Sequence, residues 1–182
     1  MKDSVGTLQR AYVAKPQIIK QECPEWCWAA STAMIFAAHG HRTDQKKIVA
    51  KVFGGLACKP AGTPLAIAQA LSAPWVDDSG QSFQASISAA YDPTDGIMAI
   101  SNNFIINELA NDRPVLYCNT HHAMVIVDFN YVISPMGPAP QQVGALDPWP
   151  GSPDYHPLSQ PEMYGINMAP GGQMTFLAAV AL

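Results

Sequence analysis

A chain of 182 residues that is 48% hydrophobic and only 13% charged can bury a sizeable core, and its length favours one domain, residues 1–182, over two. The formal charge of -4, with Lys and Arg scattered rather than gathered into a stripe, argues against nucleic acid as a partner. No run approaches the roughly 18 apolar residues of a membrane span. The opening "MKDSVGTLQRAYVAKPQ" lacks the uninterrupted apolar run of a secretory signal, so a soluble chain is expected, with export, if any, by a non-classical or effector route.

The first periodic segment, Cys27 to Ala38 ("CWAASTAMIFAA"), is rich in Ala and Met, lacks Gly and Pro, and ends at "HGH", where Gly40 suits a helix C-cap. It predicts a largely buried helix. A second helix is expected from Thr43 or Asp44 to Phe53, with Ile48, Val49 and Val52 on one side. "GGLACKPAGTP" breaks it, and a third is expected over Thr63 to Ser72, with Pro64 in its first turn. Trp75 either lines a cleft or packs a loop. "SFQASISAAY" alternates and predicts a strand; Asn102 to Asn111 predicts a fourth helix, closed by the turn "NDRP". Strands are then expected at "PVLYCN", "HAMVIVDFNYV", "QVGALD" and "MTFLAAVAL". The segments "ISPMGPAP" and "DPWPGSPDYHP" read as ordered loops. Helices first and antiparallel-type strands later make an α+β pattern, without internal repeats.

The chemistry gathers around "QECPEWCWAA". Cys27 falls where a loop turns into the first helix, and a helix N-terminus offers unpaired N–H groups and a partial positive charge that favour a thiolate. Gln21, six residues earlier, offers an amide as an oxyanion donor beside the Cys27 N–H. Taken alone, Cys27 reads as a small buried hydrophobe. A nucleophile needs a base and the base an orienter, and the strand segments supply both. The pair His121 and His122 opens one strand, and Asp147 ends another. Consecutive strand residues face opposite ways, so only one histidine can meet Cys27, and periodicity leaves the choice open. His39 and His41 flank Gly40 in a helix-ending turn and read as carbonyl caps or surface residues. Asp77, Asp78, Asp92 and Asp95 sit in turn-like contexts where carboxylates bond backbone N–H groups.

The combination Gln21, "WCWAASTAMI", "HHAMVIVDFNY" and "ALDPWPG" resembles the papain-like cysteine peptidases. Within them it is similar to the compact bacterial branch that includes double-glycine leader peptidases and plant-pathogen effector proteases. The resemblance spans Gln21 to about Gly151. It implies a papain-like α+β fold, with the nucleophile helix of an N-terminal helical part packed on an antiparallel sheet or half-barrel. It implies Cys27 as nucleophile, His122 as general base and acid, Asp147 as orienter and Gln21 as oxyanion donor. Trp28 packs the nucleophile helix, and Trp149 is expected to cover the His122–Asp147 hydrogen bond. No cofactor is implied. The expected substrate is a protein or peptide, and an effector or toxin role leaves room for a cognate inhibitor or immunity protein.

The resemblance has departures. His122 follows Cys27 by 95 residues, less than the roughly 130 of the plant and lysosomal enzymes, which implies trimmed loops. The orienter is Asp rather than Asn. Cys23 lies four residues before the nucleophile, and the resemblance suggests Cys58 as its disulfide partner, two reduced thiols being the alternative. Cys118 reads as a buried, inert strand cysteine. The spacing of Cys23, Cys27, Cys118 and the His pair matches no metal knuckle and no HExxH, so no metal is expected. The same triad would also serve an amidase, a deamidase or a transglutaminase-like acyltransferase, and a non-catalytic binding module with a relic site is the remaining alternative.

Overall fold

Helix α1, Cys27–Ala38, is buried on every side from Trp28 to Ala37 and therefore has to be covered all round. The computed structural model describes residues 6–168 and 170–182; residues 1–5, the start of the stretch read for a leader, lie outside the described residues. The fold is α+β, with four helices and an antiparallel sheet among these residues. Helix α1 ends as its sequence predicts. Gly40, at φ 89°, turns left-handed and donates its N–H to Ala37 O at 3.0 Å.

Helices α2, Gln45–Phe53, and α3, Pro64–Ala70, cover one side of α1. Asp44 caps α2 by accepting Lys46 N–H at 2.8 Å. Ile48 and Val49 are buried, as their spacing predicts. The hairpin of β2, Pro74–Val76, and β3, Ser82–Gln84, closes another side. Its Trp75 is buried, packs 5.4 Å from Phe36 and donates its indole N–H to Ala70 O, so this tryptophan packs the hairpin and takes no part in the cleft beside Cys27. His41 stacks on Phe83 and meets the Asp77 carboxylate at 3.1 Å, a structural contact rather than a carbonyl cap. Asp77 also accepts Ser79 N–H and Gln81 N–H, and Asp92 accepts Thr94 N–H, as turn carboxylates do.

The other side of α1 lies on a sheet built from eight strands. These are β1, Gln9–Tyr12; β4, Ser86–Asp92; β5, Ile97–Met98; β6, Val115–Asn119; β7, Ala123–Ser134; β8, Gly137–Leu146; β9, Tyr155–Pro157; and β10, Met174–Ala181. They run in the order β5-β4-β10-β6-β7-β8-β9, with β1 added to β7. The first part of β7 pairs with β6 and the next part, Asp128–Tyr131, with β1. Strand β1 is held there by Arg10, whose guanidinium forks onto the Asp128 carboxylate at 2.8 and 3.2 Å. Helix α4, Asn102–Ala110, packs on the opposite face from α1, where Ile105 shares a cavity wall with Ile126 and Phe129.

Four expectations about strands and loops are corrected. "SFQASISAAY" is two strands, broken at Ala85, which is fully buried and donates its N–H to Ala73 O, in register with the β2–β3 pairing, before the chain crosses to β4 in the large sheet. "ISPMGPAP" is a β-hairpin turning at Ser134 and Gly137, not a loop. Pro138 and Pro140 are tolerated in β8 because β9 pairs only with Gly144–Leu146 and leaves the outer side of the prolines without a ladder. Among the described residues a strand, β1, comes ahead of the helices, and "DPWPGSPDYHP", expected as a loop, carries β9 at Tyr155–Pro157.

One hydrophobic core joins α1 to both faces of the sheet. No helix among the described residues is long and apolar enough to cross a membrane. Phe36 is fully buried beside Trp75 and Phe83. Its replacement by Ala removes a large side chain from a site walled by rigid aromatics, so Phe36→Ala should cost about 3–5 kcal/mol, read as a shift of the urea midpoint at unchanged slope.

Candidate active site

Cys27 is the first residue of α1, half-buried, and no side chain caps this helix end. The first-turn N–H groups are therefore left free toward the thiol. Two indoles hold the preceding turn in place. Trp26 donates its N–H to Ala57 O at 2.9 Å, and Trp28, 1% exposed and edge-on to Phe53, donates to Lys59 O at 3.2 Å. Cys23 and Cys58 are joined by a disulfide, Cα to Cα 6.0 Å, which ties the same two segments a third time. The 57–63 loop so anchored forms one wall of an open cleft of about 480 Å³ beside Cys27.

The opposite wall comes from the β6–β7 turn. Asn119 Oδ1 accepts the N–H groups of His121 at 2.9 Å and of His122 at 2.7 Å, which winds the turn tightly and sets both histidines at its end. The structure decides between them. His121 is exposed, whereas His122 is part-buried, lines the cleft together with Cys27 and lies 2.7 Å from Asp147 Oδ1 through Nε2. A carboxylate can only accept, so Nε2 carries the proton and Nδ1 is the nitrogen left for Cys27.

Asp147 follows β8 and is 6% exposed. Its Oδ1 also accepts Trp149 N–H at 2.8 Å. The indole of Trp149 is 43% exposed and lines a separate depression with Gln21, Cys23 and Pro24. Its backbone thus serves Asp147, and the residue borders the Gln21 loop across that depression.

Burial is the largest single influence on His122 and pulls its pKa down, but the neighbouring Cys27 and the hydrogen-bonded Asp147 carboxylate outweigh it and hold the imidazole above its ordinary 6.5. Burial likewise pushes Asp147 up, and Trp149 N–H, His122 and Ser152 outweigh it, leaving the carboxyl below its ordinary 3.8. Cys118, on β6, has its thiol pushed up by burial. It is buried, as expected of an inert cysteine.

Gln21 is buried beside this site with its amide turned to its own loop. Nε2 donates to Cys23 O at 3.0 Å and to Pro24 O at 2.7 Å, while Oε1 has no partner. The reverse orientation would set an oxygen against two carbonyl oxygens, so the placement follows from the donors and acceptors present.

Two contributors escape the sequence reading. Asn119 Nδ2 donates to Glu162 Oε1, and Glu162, in a short 3-10 turn, accepts Ser159 N–H and Oγ–H through Oε2. Its buried carboxylate therefore fixes which way the Asn119 amide points. The available signal was "SQPE", Ser159 followed three residues later by Glu162, a capping-box spacing. Asn119 carried no sequence signal.

A smaller cavity, about 280 Å³, lies behind the sheet and is lined by Tyr91, Tyr117, Ile126 and Leu177. Neighbouring residues on one strand face opposite ways, and Cys118 faces the cleft, so this cavity is remote from Cys27. Among the described residues no group of three or more His, Cys, Asp or Glu side chains is arranged to hold a metal ion. Compared with protein-family models and with curated proteins, the chain matches none.

The paired shifts make stability depend on pH. His122, raised in the folded chain, stabilises fully below pH 6.5 and loses this as pH rises through its folded value; Asp147, lowered, stabilises fully above pH 3.8 and loses this as pH falls through its own. The destabilisation caused by Asp147→Asn should therefore be largest between these two values and shrink toward alkaline pH. Urea unfolding of both proteins across pH 4 to 9 measures it, and a penalty that grew above neutrality would contradict the assignment.

Proposed function

We propose that this protein is a cysteine peptidase of papain-like architecture that hydrolyses peptide bonds through a thioester on Cys27. One observation carries the reading: a thiol at the N-terminus of a buried helix, sharing a cleft with an imidazole whose Nε2 meets a buried carboxylate at 2.7 Å. Each partner has a task that its surroundings suit. Asp147 holds the ring and favours its protonated form, and the ring both receives the thiol proton and can return it.

In the reaction, Cys27 Sγ gives its proton to His122 and attacks the carbonyl carbon. The C–N bond breaks as His122 protonates the leaving amine, and the acyl group stays on sulfur. Water then gives a proton to His122 and adds to the thioester, and the acid departs as Sγ leaves. The oxyanion is held by the Cys27 N–H, free at the uncapped helix end, and by Gln21 Nε2 after it turns one proton away from the Cys23 or Pro24 carbonyl. The cleft walls are built from Pro60, Ala61, Thr63, Ile67, Thr94 and Thr175, without a Lys, Arg, Asp or Glu side chain among its lining. An uncharged peptide segment fits them best.

Digestion of a peptide library, read by mass spectrometry, tests the proposal. Cys27→Ala should abolish cleavage, and Gln21→Ala should lower kcat about 10²–10³-fold, the effect of losing one oxyanion donor, while Cys27 remains alkylable by iodoacetamide. Full activity in Cys27→Ala would remove the nucleophile from Cys27 and with it the reading.

A further inference from the structure

The residue before Gln21 makes contacts that no part of the triad accounts for. Lys20 Nζ donates to three backbone carbonyls of one loop, Asp147 O at 3.0 Å, Trp149 O at 3.1 Å and Ser152 O at 3.1 Å. It also lies 3.1 Å from the Asp154 carboxylate. An ammonium has three N–H bonds, and here all three have a carbonyl within reach. The ion pair itself contributes little, because Asp154 is 61% exposed and screened by water. The carbonyls are the significant partners: they come from three points along the loop that starts at the orienter, and their convergence on one atom bends that loop into an arc.

The loop has few other means of holding its shape. Residues 147–154 include Pro148, Pro150 and Pro153, which have no N–H to give. Its internal backbone bonds are Asp147 N–H to Asp154 O and Ser152 N–H to Trp149 O. Lys20, by contrast, is fixed from behind. Gln45 on α2, 2% exposed, donates to Lys20 O at 2.9 Å and accepts Glu22 N–H at 3.1 Å, and Gln21 N–H donates to Pro148 O at 2.8 Å. The segment 20–22 is thus a strut between α2 and the orienter loop.

We propose that Lys20 is a positioning residue that keeps the Asp147 carboxylate at His122 Nε2 by gathering the carbonyls of the loop that carries it. The proposal rests on the triad reading above for its catalytic consequence, though not for its geometry. Lys20 touches neither His122 nor Cys27 and acts through Asp147 alone. The titratable groups acting on the His122 ring are Cys27 from α1 and Asp147 from the end of β8, with His121 next to it in the chain. A loop that sags away from the ring weakens only the Asp147 contribution.

Lys20→Met keeps the aliphatic stem and removes the donors. Its kcat should fall about 10–100-fold with KM little changed, the size of effect seen when a group that orients a ligand is lost, and well short of the ~10⁴-fold loss of an orienter itself. The His122 imidazole, followed by NMR in the resting protein, should titrate at lower pH than in wild type, and the alkaline limb of the pH–rate profile should move the same way. Lys20→Arg keeps the charge, but its planar fork cannot aim at three converging carbonyls, so it should recover only part of the shift. It also provides the reading should Lys20→Met fail to fold. An unmoved His122 titration in whichever variant folds overturns the positioning role, even if wild type cleaves peptides. A wild type that cleaves nothing, with the titration still moving in the variant, overturns the peptidase reading and leaves the positioning role standing.

Discussion

Everything about the site follows from the burial of one helix. A helix with apolar residues on all sides cannot lie on a surface, so α1 is enclosed by β6 and β7 on one side and by α2, α3 and the β2–β3 hairpin on the others. Only its ends can reach water. The N-terminal end carries Cys27, and because no side chain caps it, the unpaired N–H groups of the first turn remain at the place where a negative sulfur or oxygen would sit. The core thus anchors the helix, and the same anchoring fixes the thiol.

The second constraint is the antiparallel pairing of β7 with β8. Val125 stands opposite Leu146, so the start of β7 and the end of β8 lie at the same margin of the sheet. His122 immediately precedes one strand and Asp147 immediately follows the other, and this adjacency permits a 2.7 Å contact between residues 25 positions apart in sequence. Each is then trimmed by its own turn. Asn119 and Glu162 set the histidine side, and the loop through Trp149 and Ser152, gathered on Lys20, sets the carboxylate side. The His122–Asp147 contact is thus held from both sides, by two separate hydrogen-bonded structures.

How legible this was depended on whether a residue acts through local pattern or through distant contacts. The four helices are visible in periodicity and caps because those signals are local: Asp44 and Gly40 stand within a residue or two of the ends they mark. Cys27 at a helix start belongs to the same class. Strands β1, β5 and β9 left little trace because they are short, and β1 is also held by a partner far along the chain, as Arg10 on Asp128 illustrates. The prolines of β8 read as loop because the absence of an outer partner, which makes them harmless, is a property of the sheet and not of the residues.

The sequence by itself determined the α+β class, the placement of Cys27 at a helix N-terminus and the candidate partners at His121, His122 and Asp147, since each rests on spacing within a dozen residues. Tertiary structure alone decided that His122 and not His121 meets the Asp147 carboxylate, that Cys23 and Cys58 are joined, and that the Gln21 amide faces its own loop. It alone brought Lys20 to the carbonyls of a loop more than a hundred residues away. The physical reason is common to all of these. A hydrogen bond or a disulfide needs its partners within about 3 Å or a fixed Cα separation. Periodicity constrains such distances along one element, whereas between elements they are set by the packing of the whole core.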